Sequence, residues 1–290
     1  MLALQLLVNA LALGAAYALV ALGFVLVLNA TGAVNFAQGD MVTAGGYAAI
    51  ALAGLLPAPG LLLLPLVLLL MAALGLLFSV LAYFPLRHRP PVSVFISTIA
   101  LGIVLQNGIN LGFGAEPRTA PPLMGGGIIE LGGIVLARQS LAILLVAALL
   151  ILGQHLLLQR TQLGRALRAA AQDPEMARLV GIRVDRMIAF SFALGAALAG
   201  AAGLLLANQF FTSPSAGTDL ILKAYIAVAI GGWGSLAGAV LGALLIALFE
   251  VGVSALLSYE AAMAGLYAAL LAILWLRPQG LLGEPVRRRA

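Results

Sequence analysis

Long apolar runs alternate with short polar interruptions along this chain. Apolar stretches occupy residues 2–28, 41–56, 61–86, 92–113, 139–159, 187–210, 218–230, 236–257 and 261–276. A helix needs about 20 apolar residues to cross a bilayer upright, so most of these runs predict a crossing. The pattern predicts an all-α polytopic membrane protein with about eight or nine transmembrane segments, short or broken ones included. The first run competes with a signal-peptide reading. No Lys or Arg precedes it, and it exceeds the usual ~7–15 residue apolar region of such peptides, so a retained span is expected.

Two interruptions stand out because no long hydrophilic loop accompanies them. The first is N-A-T-G-A-V-N-F-A-Q-G-D, residues 29–40. Backbone freed from a helix is tolerated inside a membrane only where protein buries it or it lines a watery cavity. A simple polar hairpin between two spans is the alternative. The second is the run 218–230, too short for an upright crossing and closed by Gly231-Gly232-Trp233-Gly234-Ser235. Interrupted segments in both halves predict inverted repeats around a central path. Asn35, Phe36, Gln38 and Gly39, with Gly231, Gly232 and Gly234 opposite, are the candidate path residues. Gly234, Gly238 and Gly242 also form G-x-x-x-G steps that permit close helix packing. The glycines do not match a nucleotide-binding fingerprint, whose G-x-G-x-x-G spacing is missing.

Charge is concentrated rather than spread. Residues 160–186 hold six arginines with Asp173, Glu175 and Asp185. Arg or Asp at a helix centre costs about 2.5–3.5 kcal/mol on insertion scales, so this is an aqueous loop. Its arginine excess places it on the cytoplasmic side. Leu163, Ala166, Leu167 and Ala170 recur at helical spacing; Asp173-Pro174 starts a second short helix and Gly181 ends it. Two short helices at a membrane face suggest a docking surface; an ordinary positive-inside loop is the alternative. The tail, 277–290, is basic and also expected inside. By parity 114–137 lies outside, with short β-type runs Ile128–Leu131 and Ile134–Leu136 joined at Gly132-Gly133 as a small hairpin. The crossings between loop and tail must be even in number, so 218–230 has to cross. His88 lies in a basic turn and reads as an interfacial bystander. Ser93, Ser97, Thr98, Gln106, Asn107 and Asn110 make 92–113 the second choice for lining a path.

Few ionisable residues fall inside spans. Asp219 and Lys223 are four apart on one helical face and can pair. Glu250 stands alone late in its span, within reach of the outer interface. Asp40 sits beside the first interruption. Intramembrane charges are functional candidates by default.

Composition removes other classes. The chain is 63% hydrophobic and 9% charged, far from the quarter charged that soluble domains average. It has no cysteine, which excludes disulfides and thiol chemistry. The net charge of +5 is explained by loops and tail, so no nucleic-acid partner is implied. No phosphate-binding G-x-x-x-x-G-K-S/T occurs and the two histidines lack ligand spacing, so no cofactor or metal site is expected. Uphill transport would need energy from a partner.

The wording of several segments then carries a resemblance. T-x-x-G-R-A-x-R-A-x-A-x-D-P-x-x-A-R-x-x-G-I, residues 161–182, resembles the coupling loop of permease subunits in branched-chain amino acid ABC transporters. Glu175-Met176-Ala177 with Gly181 resembles their E-A-A-x-x-x-G motif. G-A-V-N-F-A-Q-G-D-M followed by G-G-Y is similar to the signature of the first of the two permeases in those systems. G-G-x-G-S-x-x-G from Gly231 and R-P-Q-G-L-x-G from Arg277 are similar to the same family. Many relatives carry His where this chain has Gln38, an amide that hydrogen-bonds without titrating.

The resemblance implies one transmembrane permease domain over 1–290 in a bacterial cytoplasmic (inner) membrane, surrounded by lipid. It implies a second permease subunit as a heterodimer partner, two ABC ATPase subunits that bind the ATP, and an extracytoplasmic solute-binding protein. It assigns Glu175, Ala177, Arg178 and Gly181 to the ATPase contact. Branched-chain or other hydrophobic amino acids are the expected solutes, though urea and short-amide importers share the scaffold. A stand-alone ion-coupled secondary transporter and a non-transporting scaffold are the readings from other classes.

Overall fold

The computed structural model describes residues 2–125, 127–131 and 134–283. Helix α1 spans Leu2–Thr31, α2 Gln38–Leu55, α3 Gly60–Phe78, α4 Pro91–Phe113, α5 Arg138–Arg160 and α6 Gln162–Gln172. Helix α7 spans Pro174–Leu179, α8 Val184–Gln209, α9 Gly217–Gly231, α10 Leu236–Leu256 and α11 Tyr259–Leu276. Helix α3 continues through one π turn and one 3₁₀ turn to Leu86. Among the described residues, seven helices are long and apolar enough to cross a membrane: α1, α3 with its extension, α4, α5, α8, α10 and α11. Helices α2 and α9 fall outside that set. Both are buried within the bundle the others form.

The first interruption is shorter than the polar residues predict. Helix α1 runs on through Asn29 to Thr31, whose hydroxyl donates to the Val27 carbonyl at 2.7 Å and accepts from the Ala33 amide at 3.1 Å. Gly32 then adopts φ of +67°, a conformation that favours glycine and ends a helix. The break therefore covers residues 32–37. Asn29 stays in the helix because its side chain has a partner elsewhere: its amide donates to the Gly234 carbonyl at 2.9 Å.

Small residues set the packing at the centre. Helices α1 and α8 are almost wholly buried, and α3, α4 and α11 mostly face outward. The two halves repeat one another in order. A long buried helix (α1 or α8) leads through a break into a short helix (α2 or α9) and then a long one (α3 or α10). Their contacts repeat too: α1 packs on α10 as α8 packs on α3, and α9 packs on α1 as α2 packs on α8. Between α9 and α10, Gly231 meets the Gly238 backbone and Gly242 meets the Ala227 carbonyl, approaches that leave no room for a Cβ. Gly234 is not part of that helical face. It lies in the turn before α10 with φ of +77°.

The segment between α4 and α5 is tied down. Arg118 and Thr212 exchange backbone hydrogen bonds at 2.9 and 2.8 Å, and the Ala120 amide donates to the Ala207 carbonyl at 2.9 Å. The Gly60 amide donates to the Pro122 carbonyl at 2.9 Å. Strands β1 (Ile128–Leu131) and β2 (Ile134–Ala137) pair antiparallel, with Leu131 opposite Ile134. Gly132 and Gly133, the expected turn, lie outside the described residues, as do Arg287 to Arg289. The basic segments share the other end. Arg87 meets Asp185 at 2.7 Å, and the described tail residue Leu282 lines a cavity with Arg168 and Gln172.

Candidate functional site

A buried ion pair joins α9 to α10. Lys223 Nζ lies 2.6 Å from Glu250 Oε1 and donates to the Tyr17 hydroxyl at 2.8 Å. That hydroxyl donates in turn to Glu250 Oε2 at 3.2 Å. Lys223 and Glu250 are 7% and 6% exposed, so each charge depends on the other. This corrects two expectations. Lys223 pairs across helices with Glu250 rather than with Asp219 one turn away. Glu250 faces a cation inside the protein rather than the outer interface. Antiparallel α9 and α10 pack so closely at Ala227–Gly242 that the long Lys223 side chain reaches the next helix without leaving the interior.

The pair forms one wall of a cavity of about 420 Å³. That lies within the ~300–1,000 Å³ range of small-molecule sites. Tyr17 of α1, Thr43 of α2, Asp219 and Lys223 of α9, and Glu250 of α10 give it polar groups. Leu13, Leu206, Leu220, Phe210 and Tyr259 give it apolar walls. Both short helices therefore line it, each within about two turns of its N-terminus. Asp219 is exposed and bonds no other described residue through its carboxylate.

None of the sequence-predicted path residues lines that cavity. Asn35 and Gln38 are buried, their side chains 3.5 Å apart. The Gln38 side-chain amide donates to the Gly195 carbonyl of α8 at 3.1 Å, and the Asn35 side-chain oxygen accepts from the Ala37 backbone amide at 3.2 Å. These bonds satisfy the freed backbone and fix the start of α2. Phe36 is half-buried; its amide donates to the Thr98 hydroxyl at 3.2 Å, and its ring meets Phe95 edge-on at 4.9 Å. Gly39 touches Gly217. At the opposite break, the tail covers the end of α9. Leu281 and Leu282 amides donate to the Ile230 and Gly231 carbonyls, both at 2.8 Å, and Gly232 abuts Gly283. The tail thus supplies donors for carbonyls that a helix end leaves bare. Gly234 lines a second cavity of about 670 Å³, beside Arg168, Gln172 and Leu282.

Residues 160–186 fold as the capping signals predict. The Thr161 hydroxyl accepts from the Gly164 amide at 3.0 Å, and the Asp173 carboxylate accepts from the Glu175 and Met176 amides, each at 3.0 Å. Gly181 has φ of +84°. Of the four coupling candidates, Ala177 is buried, Glu175 and Arg178 are exposed, and Arg178 lies 3.8 Å from Asp185. Helix α7 also presents an apolar surface: Met176, Leu179 and Val180 are 57%, 80% and 73% exposed. Sequence reasoning passed over these three, although their place around Ala177 on a short helix signals a face turned outward.

The family model for the branched-chain amino acid transport system permease component matches residues 6–276. The chain belongs to that permease family. It is 35% identical over 295 residues to the high-affinity branched-chain amino acid transport system permease protein BraD of Pseudomonas aeruginosa, covering 97% of this chain and 96% of BraD. It is 34% identical over 299 residues to LivH of Escherichia coli, with the same coverage of 97% and 96%. A shorter likeness, 38% over 137 residues, links it to the xylose transport system permease protein XylH of Escherichia coli, covering 44% of this chain and 35% of XylH. No solved structure matches.

Other polar residues of the permease have local roles. In α4, Thr98 is buried against the break, whereas Gln106, Asn107 and Asn110 line a separate pocket of about 270 Å³ with Pro214 and Ser215. His88 Nε2 accepts from Arg87 Nε at 3.1 Å, beside the Arg87–Asp185 pair. The charges of the cavity beside Lys223 were visible in the sequence. Their grouping was not, because Tyr17, Lys223 and Glu250 come from three helices.

Proposed function

We propose that this chain is the membrane permease of an ABC importer, carrying branched-chain or other hydrophobic amino acids into the cytoplasm. The observation that carries this reading is likeness over 97% of the chain to relatives named for that transport. In this reading the protein sits in a bacterial inner membrane beside a second permease subunit. Two ATPase subunits bind and hydrolyse the ATP, so the permease itself holds no cofactor. An extracytoplasmic solute-binding protein delivers the solute to the end formed by residues 114–137 and Thr212.

Physical detail supports the coupling role. Apolar Met176, Leu179 and Val180 project from a helix between charged residues, and such a surface gains by entering a partner's groove. The Asp173 cap and Gly181 turn define the ends of α7, Arg178 of α7 lies 3.8 Å from Asp185 at the start of α8, and the Arg87–Asp185 contact ties that start to the turn after α3. Closure of the ATPases would push α7 and, through α8 and α3, shift the packing around the two short helices. Glu175, Ala177, Arg178 and Gly181 then build and orient the contact.

The complex, reconstituted in liposomes with all partners, is expected to take up leucine only with ATP and the solute-binding protein. A partner ATPase unable to hydrolyse ATP should abolish uptake. Urea or amide uptake in place of leucine would assign the scaffold's other solute class. Leucine uptake by the permease alone under an ion gradient would replace the proposal with ion-coupled transport.

A further inference from the structure

We propose that the cavity between α1, α2, α9 and α11 binds the zwitterionic head of an α-amino acid, Asp219 taking its ammonium and Lys223 its carboxylate. This rests on the importer reading and adds the site at which the permease itself recognises its solute.

The cavity combines features that a structural ion pair alone does not require. An intramembrane lysine needs a counter-charge, and Glu250 supplies it at 2.6 Å. Burial costs such a pair its hydration, which only good geometry and further hydrogen bonds offset. Here the pair borders about 420 Å³ of open space, and a third charge, Asp219, borders the same space. Lys223 has three ammonium hydrogens and makes two hydrogen bonds among the described residues, to Glu250 and Tyr17. One donor remains for a carboxylate. Asp219 lies one turn earlier on the same helix face, with acceptor oxygens for an ammonium. Thr43 of α2 adds a hydroxyl on the cavity wall.

The geometry is also prepared in advance. Glu250 and the Tyr17 hydroxyl hold the Lys223 ammonium, and the Tyr17 and Tyr259 rings lie 5.1 and 5.5 Å from it. A ligand therefore does not have to order a long flexible side chain on binding. Leu13, Leu206, Leu220 and Phe210 offer apolar surface to the rest of the solute. A branched aliphatic side chain gains by burial there, and a polar one loses hydrogen bonds to water. Neutral urea or a short amide has no formal charge to match Asp219 and Lys223.

The absence of cysteine makes the test direct. A Leu206→Cys permease, assembled with its second permease and ATPase subunits in lipid nanodiscs, is treated with a maleimide without ATP or solute-binding protein. Leucine should slow labelling at a concentration about tenfold or more below that needed with leucinamide or 4-methylpentanoate, which each lack one charge. Adding Asp219→Asn, a change at an exposed position, should raise the leucine requirement about tenfold and narrow its advantage over 4-methylpentanoate. Equal protection by all three compounds, or none by leucine, overturns the site. ATP-driven leucine uptake by the same complex in liposomes, with the solute-binding protein added, reports separately on the importer reading. Uptake without selective protection rejects this cavity and leaves the transport function standing.

Discussion

Gly39, in the first turn of α2, packs on the carbonyl of Gly217, the residue that opens α9. The two short helices thus meet start to start. Neither glycine has space for a Cβ: Gly217 in turn faces the Asp40 amide and carboxylate. This contact is backbone on backbone, so it cannot relax by a rotamer change.

Gly39→Ala is therefore expected to destabilise the permease by about 1–3 kcal/mol, the usual penalty for overpacking. Gly54→Ala is the control. That glycine is also in α2, has nothing within 4 Å, and should gain a few tenths to about 1 kcal/mol from helix propensity. Thermal unfolding of the purified variants checks both. An unchanged midpoint for Gly39→Ala, with transport lost, would instead indicate a direct block of the solute route.

The docking segment yields a second test. At Gly181 there is free space around the missing Cβ, so the obstacle to substitution is the backbone, with φ of +84°. Gly181→Val should cost about 1–2 kcal/mol locally and misdirect α7 while membrane insertion stays normal. Gly181→Asn, which tolerates this conformation better, should retain most activity. Solute-stimulated ATP hydrolysis by the assembled complex is the readout. Full stimulation with Val would remove Gly181 from the coupling contact.

How far the sequence revealed this architecture depends on the range of each interaction. The cap at Asp173, the stop at Gly181 and the runs that became α4, α5, α8, α10 and α11 are local, and each was readable to within about four residues. The end of α1 was misplaced because Asn29 looks like a helix breaker. Its partner, Gly234, is 205 residues away. The same blindness put Lys223 with Asp219. Helical spacing favours that pair, but α9–α10 packing through Gly231, Gly238 and Gly242 decides otherwise. The glycines and amides around both interruptions were noticed for their polarity. In the fold they close the breaks, while the charged cavity opens beside the first two turns of each short helix.

Orientation is testable with single cysteines. Gln172 and Glu116 are in segments at opposite ends of the bundle, α6 and the chain following α4. The arginine-rich end is expected inside. In intact cells, an impermeant thiol reagent should label Glu116→Cys and spare Gln172→Cys until the membrane is opened. The reverse pattern would invert the topology and, with it, the assignment of α7 to a cytoplasmic partner.

The last prediction separates what the Lys223–Glu250 pair does for stability from what it does for transport. Removing one partner leaves a charge buried against apolar helices, and such a lesion typically costs about 3–5 kcal/mol. Lys223→Met should therefore strongly lower the thermal midpoint, as should Glu250→Met, and Tyr17 would lose the bond at one side of its hydroxyl in either case. In the double variant, Lys223→Met with Glu250→Met, no unpaired charge remains and two flexible apolar side chains fill the space. Its midpoint should recover most of the loss, since replacing a buried pair by hydrophobic residues is often neutral or stabilising. Leucine uptake should not recover with it, because the cavity would keep its walls and lose its cation. A double variant that is both stable and active would make the pair a dispensable structural element. A double variant as unstable as either single one would show that the Tyr17 hydroxyl, left among methionines, is the group that cannot be buried without a partner.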